Sequence, residues 1–249
     1  MIGIYLGLTL SPGGVWSPLS LGTALYDMWD SENVSLFTLS GSTVTTWTST
    51  KMGYAATQTI SASKPVLSST AFGGRPGVVF DGADDFLTAG TTGIFPTGAA
   101  ESELWALVDQ TAPASDVASR VPASYGGGGN DARFIQRRVV SGNNVVEARV
   151  GLGATTVATT TVATFFGRSV VRARFGATTT SISLNGGAEG SVSATPATSA
   201  LRTRIGATAF STASNFFQGV VSLIAVTAPL TADQATQMLK YLKARGGIS

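Results

Sequence analysis

The stretch FDGADDFLTAG (Phe80 to Gly90) sets Asp81, Asp84 and Asp85 within five positions of a chain that has only 14 acidic residues. Carboxylates this close could hold a hard cation such as Ca²⁺ through oxygen. They could also contact a ligand directly, or turn one strand into the next by accepting hydrogen bonds from backbone N–H groups. If Asp84 and Asp85 lay in a strand they would point to opposite faces, so at most two of the three would converge. The spacing is not that of an EF-hand loop either. The turn reading is preferred, with a Ca²⁺ site at Asp81, Asp84 and Asp85 as the alternative.

A second carboxylate pair, Glu101 and Glu103 in ESELW, would share one face of an extended segment. Retaining glycoside hydrolysis would require such a pair about 5 Å apart. Ser102 stands where a third acid would strengthen that case, and the pair reads as two solvated charges at a strand start. The chain has no His and no Cys. Ser-His-Asp and Cys-His catalysis are therefore excluded, along with nearly all zinc chemistry and any disulfide framework. The expectation is a protein that is not an enzyme. For ligand contact the aromatics are Trp16, Trp29, Trp47, Trp105, Tyr54 and Tyr125. A Trp in a β-sandwich is mostly a core residue. Tyr125, beside the glycine run of YGGGGN, is the expected exposed ligand contact. Asn185 in SLNGG is a hairpin-turn residue first and a ligand contact second.

These residues need a scaffold, and the pattern around them is all-β. Short runs separated by turn residues recur: SLFTLSGSTVTTW, PGVVFDG, DFLTA and ELWALVDQ. RFIQRRVVSGNNVVEARVG reads as a hairpin with Ser141 to Asn144 as its loop. RSVVRARFGATTTSISLNGG reads as another, in which Ile182 and Leu184 alternate with Ser181 and Ser183. LRTRIG puts Arg202 and Arg204 on one face. GVVSLIAVTA (Gly219 to Ala228) is almost continuously apolar and predicts a central strand buried on both faces. One helix closes the chain. Thr231 and Gln234 form a capping box, and Ala235, Met238, Leu239 and Leu242 make an apolar stripe expected to seal one edge of the β core. Lys240, Lys243 and Arg245 follow in the last turn, and Gly246 is placed to end the helix.

Only 12% of the 249 residues are charged, and the formal net charge is +2, which argues against a dedicated nucleic-acid binder. The charges are segregated: ten acids against three bases up to residue 119, then ten arginines against three acids from Arg120 to Arg204. Two readings are open, sheets with differently charged faces or complementary patches between the subunits of a homo-oligomer. No stretch approaches the 18 apolar residues of a membrane span. Residues 1–16, MIGIYLGLTLSPGGVW, lack the positive region of a secretory signal and read as an anchoring arm that another surface must cover. Residues 17–249 read as one domain.

Several segments, in order, resemble the laminin-G-like, concanavalin A-like jelly rolls of phage and prophage virion proteins. They are SLGTALYDMWDSENVSLFTLSGSTVTTW, ATQTISASKPVL, GGRPGVVFDGADDFLT, SISLNGG, TRIGA and FQGVVSLIAVTAPLTADQATQMLKYL, together spanning roughly residues 17–246. The resemblance implies a two-sheet antiparallel sandwich and, as common activities, sugar or protein binding. It implies a non-enzymatic virion component, a tail or capsid-surface decoration or fibre part assembled in the host cytoplasm. Its partners would be other virion proteins reached through the arm and a host-surface polysaccharide, with no membrane and no nucleic acid. No cofactor is expected, with Ca²⁺, which some relatives bind, as the alternative. The alternative is a free lectin-like module or a degenerate glucanase, although jelly-roll glucanases carry a longer Glu-x-Asp-x-(x)-Glu run. After Trp47 the chain departs from the common Trp-x-Asp-x-Ser-Gly pattern and reads WTSTKMGYAAT, which puts in doubt any site built from that loop.

Overall fold

The computed structural model describes residues 16–90, 95–111, 118–127, 131–150, 157–160, 167–194, 196, 198–199 and 202–249. The expected arm lies outside them except for Trp16, whose indole meets the ring of Tyr241 edge-on at 5.8 Å. The strands are β1 (Leu25–Asp30), β2 (Phe37–Ser40), β3 (Thr43–Thr48), β4 (Ala55–Thr57), β5 (Val66–Phe72), β6 (Arg75–Asp81), β7 (Leu87–Gly90), β8 (Ser102–Gln110) and β9 (Arg120–Gly126). They continue as β10 (Arg133–Val140), β11 (Asn143–Val150), β12 (Val157–Thr160), β13 (Gly167–Phe175), β14 (Thr179–Leu184), β15 (Gly190–Ser193), β16 (Arg202–Ile205) and β17 (Gln218–Thr227). Helix α1 (Ala232–Gly246) follows.

The protein is an all-β sandwich with one C-terminal α-helix, and every pairing between these strands is antiparallel. One layer runs β15-β14-β13-β8-β17, where β17 is flanked on its other side by β6 along its first half and by β1 along its second. The other layer runs β2-β3-β4-β7-β16-β9-β10-β11-β12. Both contribute to one core, in which Trp29, Leu104, Ala106, Val171 and Ile224 face Trp47, Leu87, Ala123, Ile135 and Val146.

β17 is the central strand its composition predicts, buried from Gly219 to Thr227. A bulge between Val221 and Leu223 shifts its alternation. As a result Val221 and Ile224 face the core while Val220, Leu223 and Ala225 face outward. β8 does the same without a bulge, sending Leu104, Ala106 and Val108 inward and Trp105 and Leu107 outward. That outward face cannot be left to water, because a two-sided apolar strand needs two covers.

α1 supplies the second cover. Its stripe of Ala235, Met238 and Leu242 packs with Leu25, Met28, Trp105, Leu107 and Val170. The helix therefore seals the outer face of a layer, whereas the stripe alone suggested an edge. The capping box forms as expected, with Thr231 accepting from the Gln234 N–H and Gln234 accepting from the Thr231 N–H at 3.0 Å. The stop lies one residue later than expected: Gly246 is still helical and Gly247 takes the left-handed conformation at φ 60°. Arg245 is buried and pairs with Asp30 at 2.6 Å, tying the end of α1 to β1. Among the described residues no helix is long and apolar enough to cross a membrane.

The hairpin β10–β11 turns on Ser141 and Gly142 alone (φ 51° and 81°), so Asn143 and Asn144 belong to the returning strand. The arginine-rich segment does not form one exposed basic face. Arg133, Arg137 and Arg204 are buried, and Arg204 donates to the carbonyls of Thr208 and Phe210.

Candidate functional site

The three aspartates occupy the connection from β6 to β7. Asp81 Oδ1 accepts from the N–H groups of Ala83 and Asp84 at 2.8 and 3.4 Å, and Asp85 Oδ2 accepts from the Asp81 N–H at 3.0 Å. Asp84 Oδ2 accepts from the Ser63 hydroxyl at 2.8 Å. Gly82, at φ +83°, is required here, since a Cβ would lie 2.7 Å from Cβ of Gln218 and 2.8 Å from Nη1 of Arg120. These contacts are those of a turn former. Neither Asp84 nor Asp85 is in a strand, so the expected divergence of their side chains does not hold: one carboxylate oxygen from each aspartate lies within 4.8 Å of the others. Burial pushes the Asp85 carboxyl up to about 6, against the Asp81 N–H that favours its charge, and the Asp81 and Asp84 charges push it the same way as burial. Such a cluster has the chemistry of a hard-cation site, although Asp81 and Asp85 already serve the turn and Asp84 is tied to Ser63.

Tyr125 is not the exposed contact expected of it. β9 continues to Gly126 and gives Tyr125 the same inward direction as Ala123, so the side chain is fully buried despite its glycine neighbours. Its hydroxyl bonds the Ser102 hydroxyl, and the Arg133 guanidinium lies 5.7 Å from its ring. Arg133 donates to Ser102, Thr198 and the Gly98 carbonyl, a polar anchor inside the sandwich. Asn185 (φ 52°) and Gly186 (φ 75°) form the turn after β14, and Asn185 Oδ1 accepts from the Val170 N–H at 2.8 Å. Asn185 thus shapes the β14–β15 turn. The divergent loop after Trp47 is also held internally: Asp27 Oδ1 accepts from the N–H groups of Met28, Lys51 and Met52, while the Lys51 ammonium donates to Gly22 and Leu25 carbonyls.

A recess lies on the outer face of β8, β13, β14 and β15, beside α1. Strand register assembles it. Trp105, Arg172 and Ser183 stand in one cross-strand row, and Glu103, Arg174, Ser181 and Ser191 in the next. Because Val171, Ala173 and Ile182 point into the core, these polar residues must point out. Glu103 is the node. It is buried, against the expectation of a solvated charge, because Arg172 grips it with Nη2–Oε1 at 2.7 Å and Nε–Oε2 at 3.0 Å. It also accepts from Trp105 Nε1 at 3.1 Å and the Leu230 N–H at 3.2 Å, and Arg174 Nε lies 3.4 Å away. The Arg172 guanidinium lies over the Trp105 indole at 5.0 Å.

Two clefts share this floor. One, of about 420 Å³, lies between β13, the β14–β15 turn and the first turns of α1, lined by Trp105, Arg172, Arg174, Ser183, Gly186, Glu189 and Leu239 among others. The other, of about 400 Å³, continues past Arg174 and Glu189 to Glu101, Thr178, Thr179, Ser181 and Ser191. Glu189 stands between them, with Oε1 3.6 Å from Arg172 Nη1 and Oε2 3.7 Å from Arg174 Nη1. The result is a polar groove rich in hydroxyls and guanidinium–carboxylate pairs, of a size that suits a small ligand. Sequence reading singled out Ser181 and Ser183 as one face of a strand and Glu103 as half of a carboxylate pair. The alternation Arg172-x-Arg174 was the signal that would have joined them.

No family model matches the chain, and no curated protein matches it in sequence. Solved structures do. An arabinofuranosidase complexed with arabinofuranosyl-α-1,2-xylobiose superposes with a TM-score of 0.59 at 12% identity, over 81% of this chain and 51% of that one. Domain 4 of AbnA, a GH43 extracellular arabinanase from Geobacillus stearothermophilus in complex with arabinotriose, gives 0.57 at 12% identity, over 86% of this chain and 98% of that domain. The botulinum neurotoxin serotype D binding domain gives 0.52 at 7% identity, over 80% and 51%. The chain thus spans about half the length of the arabinofuranosidase and nearly the whole of the arabinanase domain. At these identities the likeness shows the β-sandwich fold.

Proposed function

We propose that this sandwich is a non-enzymatic saccharide-binding module, carried on a phage particle as a tail or capsid-surface component, and that the groove beside α1 is its binding face. One observation carries the reading. On an otherwise well-covered layer, the rows Trp105–Arg172–Ser183 and Glu103–Arg174–Ser181–Ser191 present donors and acceptors at fixed spacing over a rigid sheet. A saccharide is read by such an array of paired hydrogen bonds. The fold's likeness to a domain solved with arabinotriose supports the reading. The non-enzymatic part rests on Glu103, whose two oxygens already accept from Arg172, Trp105 and the Leu230 N–H and so have no vacancy for general acid–base work. The particle assignment rests on the resemblance of segments such as GGRPGVVFDGADDFLT and PLTADQ to virion jelly rolls. Copy number on a particle would multiply a weak single-site affinity.

The test is glycan binding by the purified protein in multivalent display, with and without EDTA, compared between the native chain and Arg174→Gln. Binding that Arg174→Gln lowers at least tenfold, with EDTA inert, supports the groove. Binding lost in EDTA and in Asp84→Asn moves the site to the aspartate turn. No binding to any glycan removes the saccharide reading. Deleting residues 1–14 should leave a folded sandwich that no longer joins the particle, and normal incorporation would refute the anchoring arm.

A further inference from the structure

Glu189 sits where a ligand's carboxylate would sit. Its two oxygens face two guanidiniums, one each, at 3.6 and 3.7 Å, too far for good hydrogen bonds. The Ser181 hydroxyl donates to the same group at 3.1 Å. Both arginines are aimed there from below. Arg172 turns its Nε and Nη2 edge to Glu103, Arg174 turns its Nε, and each leaves Nη1 toward Glu189. Without Glu189 the two guanidiniums share one buried carboxylate, Glu103, while Glu101 lines the second cleft and accepts from the Ala177 N–H. Glu189 and Arg174 are the two outer members of this group, 36% and 45% exposed against 16% for Arg172 and 1% for Glu103. Glu189 lies between the turn at Asn185 and Gly186 and the start of β15, so its displacement does not require the core to unpack.

From this geometry we infer that the groove takes a saccharide bearing a carboxylate, which displaces Glu189 and bridges Arg172 and Arg174 in its place. The inference rests on the saccharide-binding reading above and names its ligand class. The incoming carboxylate would find the Arg172 Nη1 group already in position, because Glu103 and Trp105 fix Arg172 whether or not Glu189 is present, and Arg174, whose Nε faces Glu103 at 3.4 Å, would close on it from the rim. Glu189 then acts as an internal competitor. It offsets the guanidinium charge when the groove is empty and sets a threshold that a neutral sugar, lacking a group to replace it, does not meet.

The experiment uses the full chain in multivalent display against a panel of uronic-acid and sialic-acid oligosaccharides, each beside its methyl ester. The ester keeps the ring and its hydroxyls and removes the charge. The expected result is at least one acid bound tenfold or more above its ester, with binding that falls as salt rises. Glu189→Gln should strengthen that binding severalfold, and Arg174→Gln should abolish the preference for acid over ester. Melting curves of both variants check that the sandwich is intact. An ester bound as tightly as its acid, with both weakened by Arg174→Gln, overturns this inference and leaves the saccharide groove standing. Weaker acid binding in Glu189→Gln also overturns it, since Glu189 would then be a ligand contact. No binding by any member or by neutral glycans overturns both.

Discussion

The aspartate turn and the arginine–glutamate groove are both built from clustered charge, yet they are assembled in opposite ways. Asp81, Asp84 and Asp85 are neighbours in sequence, and their oxygens accept from Ala83, Asp84 and Asp81 N–H groups and the Ser63 hydroxyl. The groove draws Glu103 from β8, Arg172 and Arg174 from β13 and Glu189 from the turn before β15, and its charges are opposite and mutually paired. In the turn, a short connection forces like charges together, and burial, with a smaller push from Asp81 and Asp84, raises the Asp85 carboxyl. In the groove, register brings unlike charges together and leaves a concave surface. Local clustering serves the backbone, and clustering across strands creates a surface that can face a ligand.

The sharpest way to break this contrast is at its two buried acids. Glu103→Ala leaves Arg172, only 16% exposed, without its bidentate partner. The loss should be about 3–5 kcal/mol in urea denaturation, with the groove's ligand binding lost as well. A loss under 1 kcal/mol would mean that Glu103 is not the node of the network.

Asp85 tests the other side through pH. Its folded carboxyl titrates near 6 against an ordinary 3.8, so between these values the folded state holds a proton that the unfolded state has released. Stability should therefore rise as pH falls from 7 through 6 and level off below about 4, by at most roughly 3 kcal/mol. Asp85→Asn should flatten that window in melting curves taken between pH 4 and 7. An unchanged profile would place the titration elsewhere.

Smaller effects refine the comparison. Gly186→Ala puts a Cβ 2.4 Å from Leu239 Cδ2 at a left-handed φ of 75°. It should cost about 1–2 kcal/mol and weaken groove binding by lifting the turn off α1, measured by thermal denaturation and glycan binding together. Asp84→Asn should change stability by less than about 1 kcal/mol, because the amide oxygen can still accept from Ser63 at this half-buried position. If that variant instead removes a Ca²⁺-dependent rise in melting temperature, the turn is a metal site.

Much of the fold was readable from local pattern. The hairpins β10–β11 and β13–β14, the two-sided strand β17 and the capping box of α1 each follow from residues close in sequence. Asp81 to Asp85 were readable as a turn for the same reason. Tyr125 was misread because glycine neighbours suggest exposure, whereas its facing was decided by the parity of β9, in step with Ala123. Glu103 was misread because nothing nearby in sequence announces the two arginines some 70 positions later.

The sequence by itself determined an all-β chain with a closing helix, excluded histidine and cysteine chemistry, and identified the strand faces that must be buried. These follow from period, turn chemistry and composition, which act over a few residues. Tertiary structure alone decided that α1 covers a sheet face, that Glu103 meets Arg172 and Arg174, and that a groove opens between them and α1. Those outcomes depend on which strands become neighbours and in what register. Antiparallel pairing sets that across distances over which local pattern carries no information.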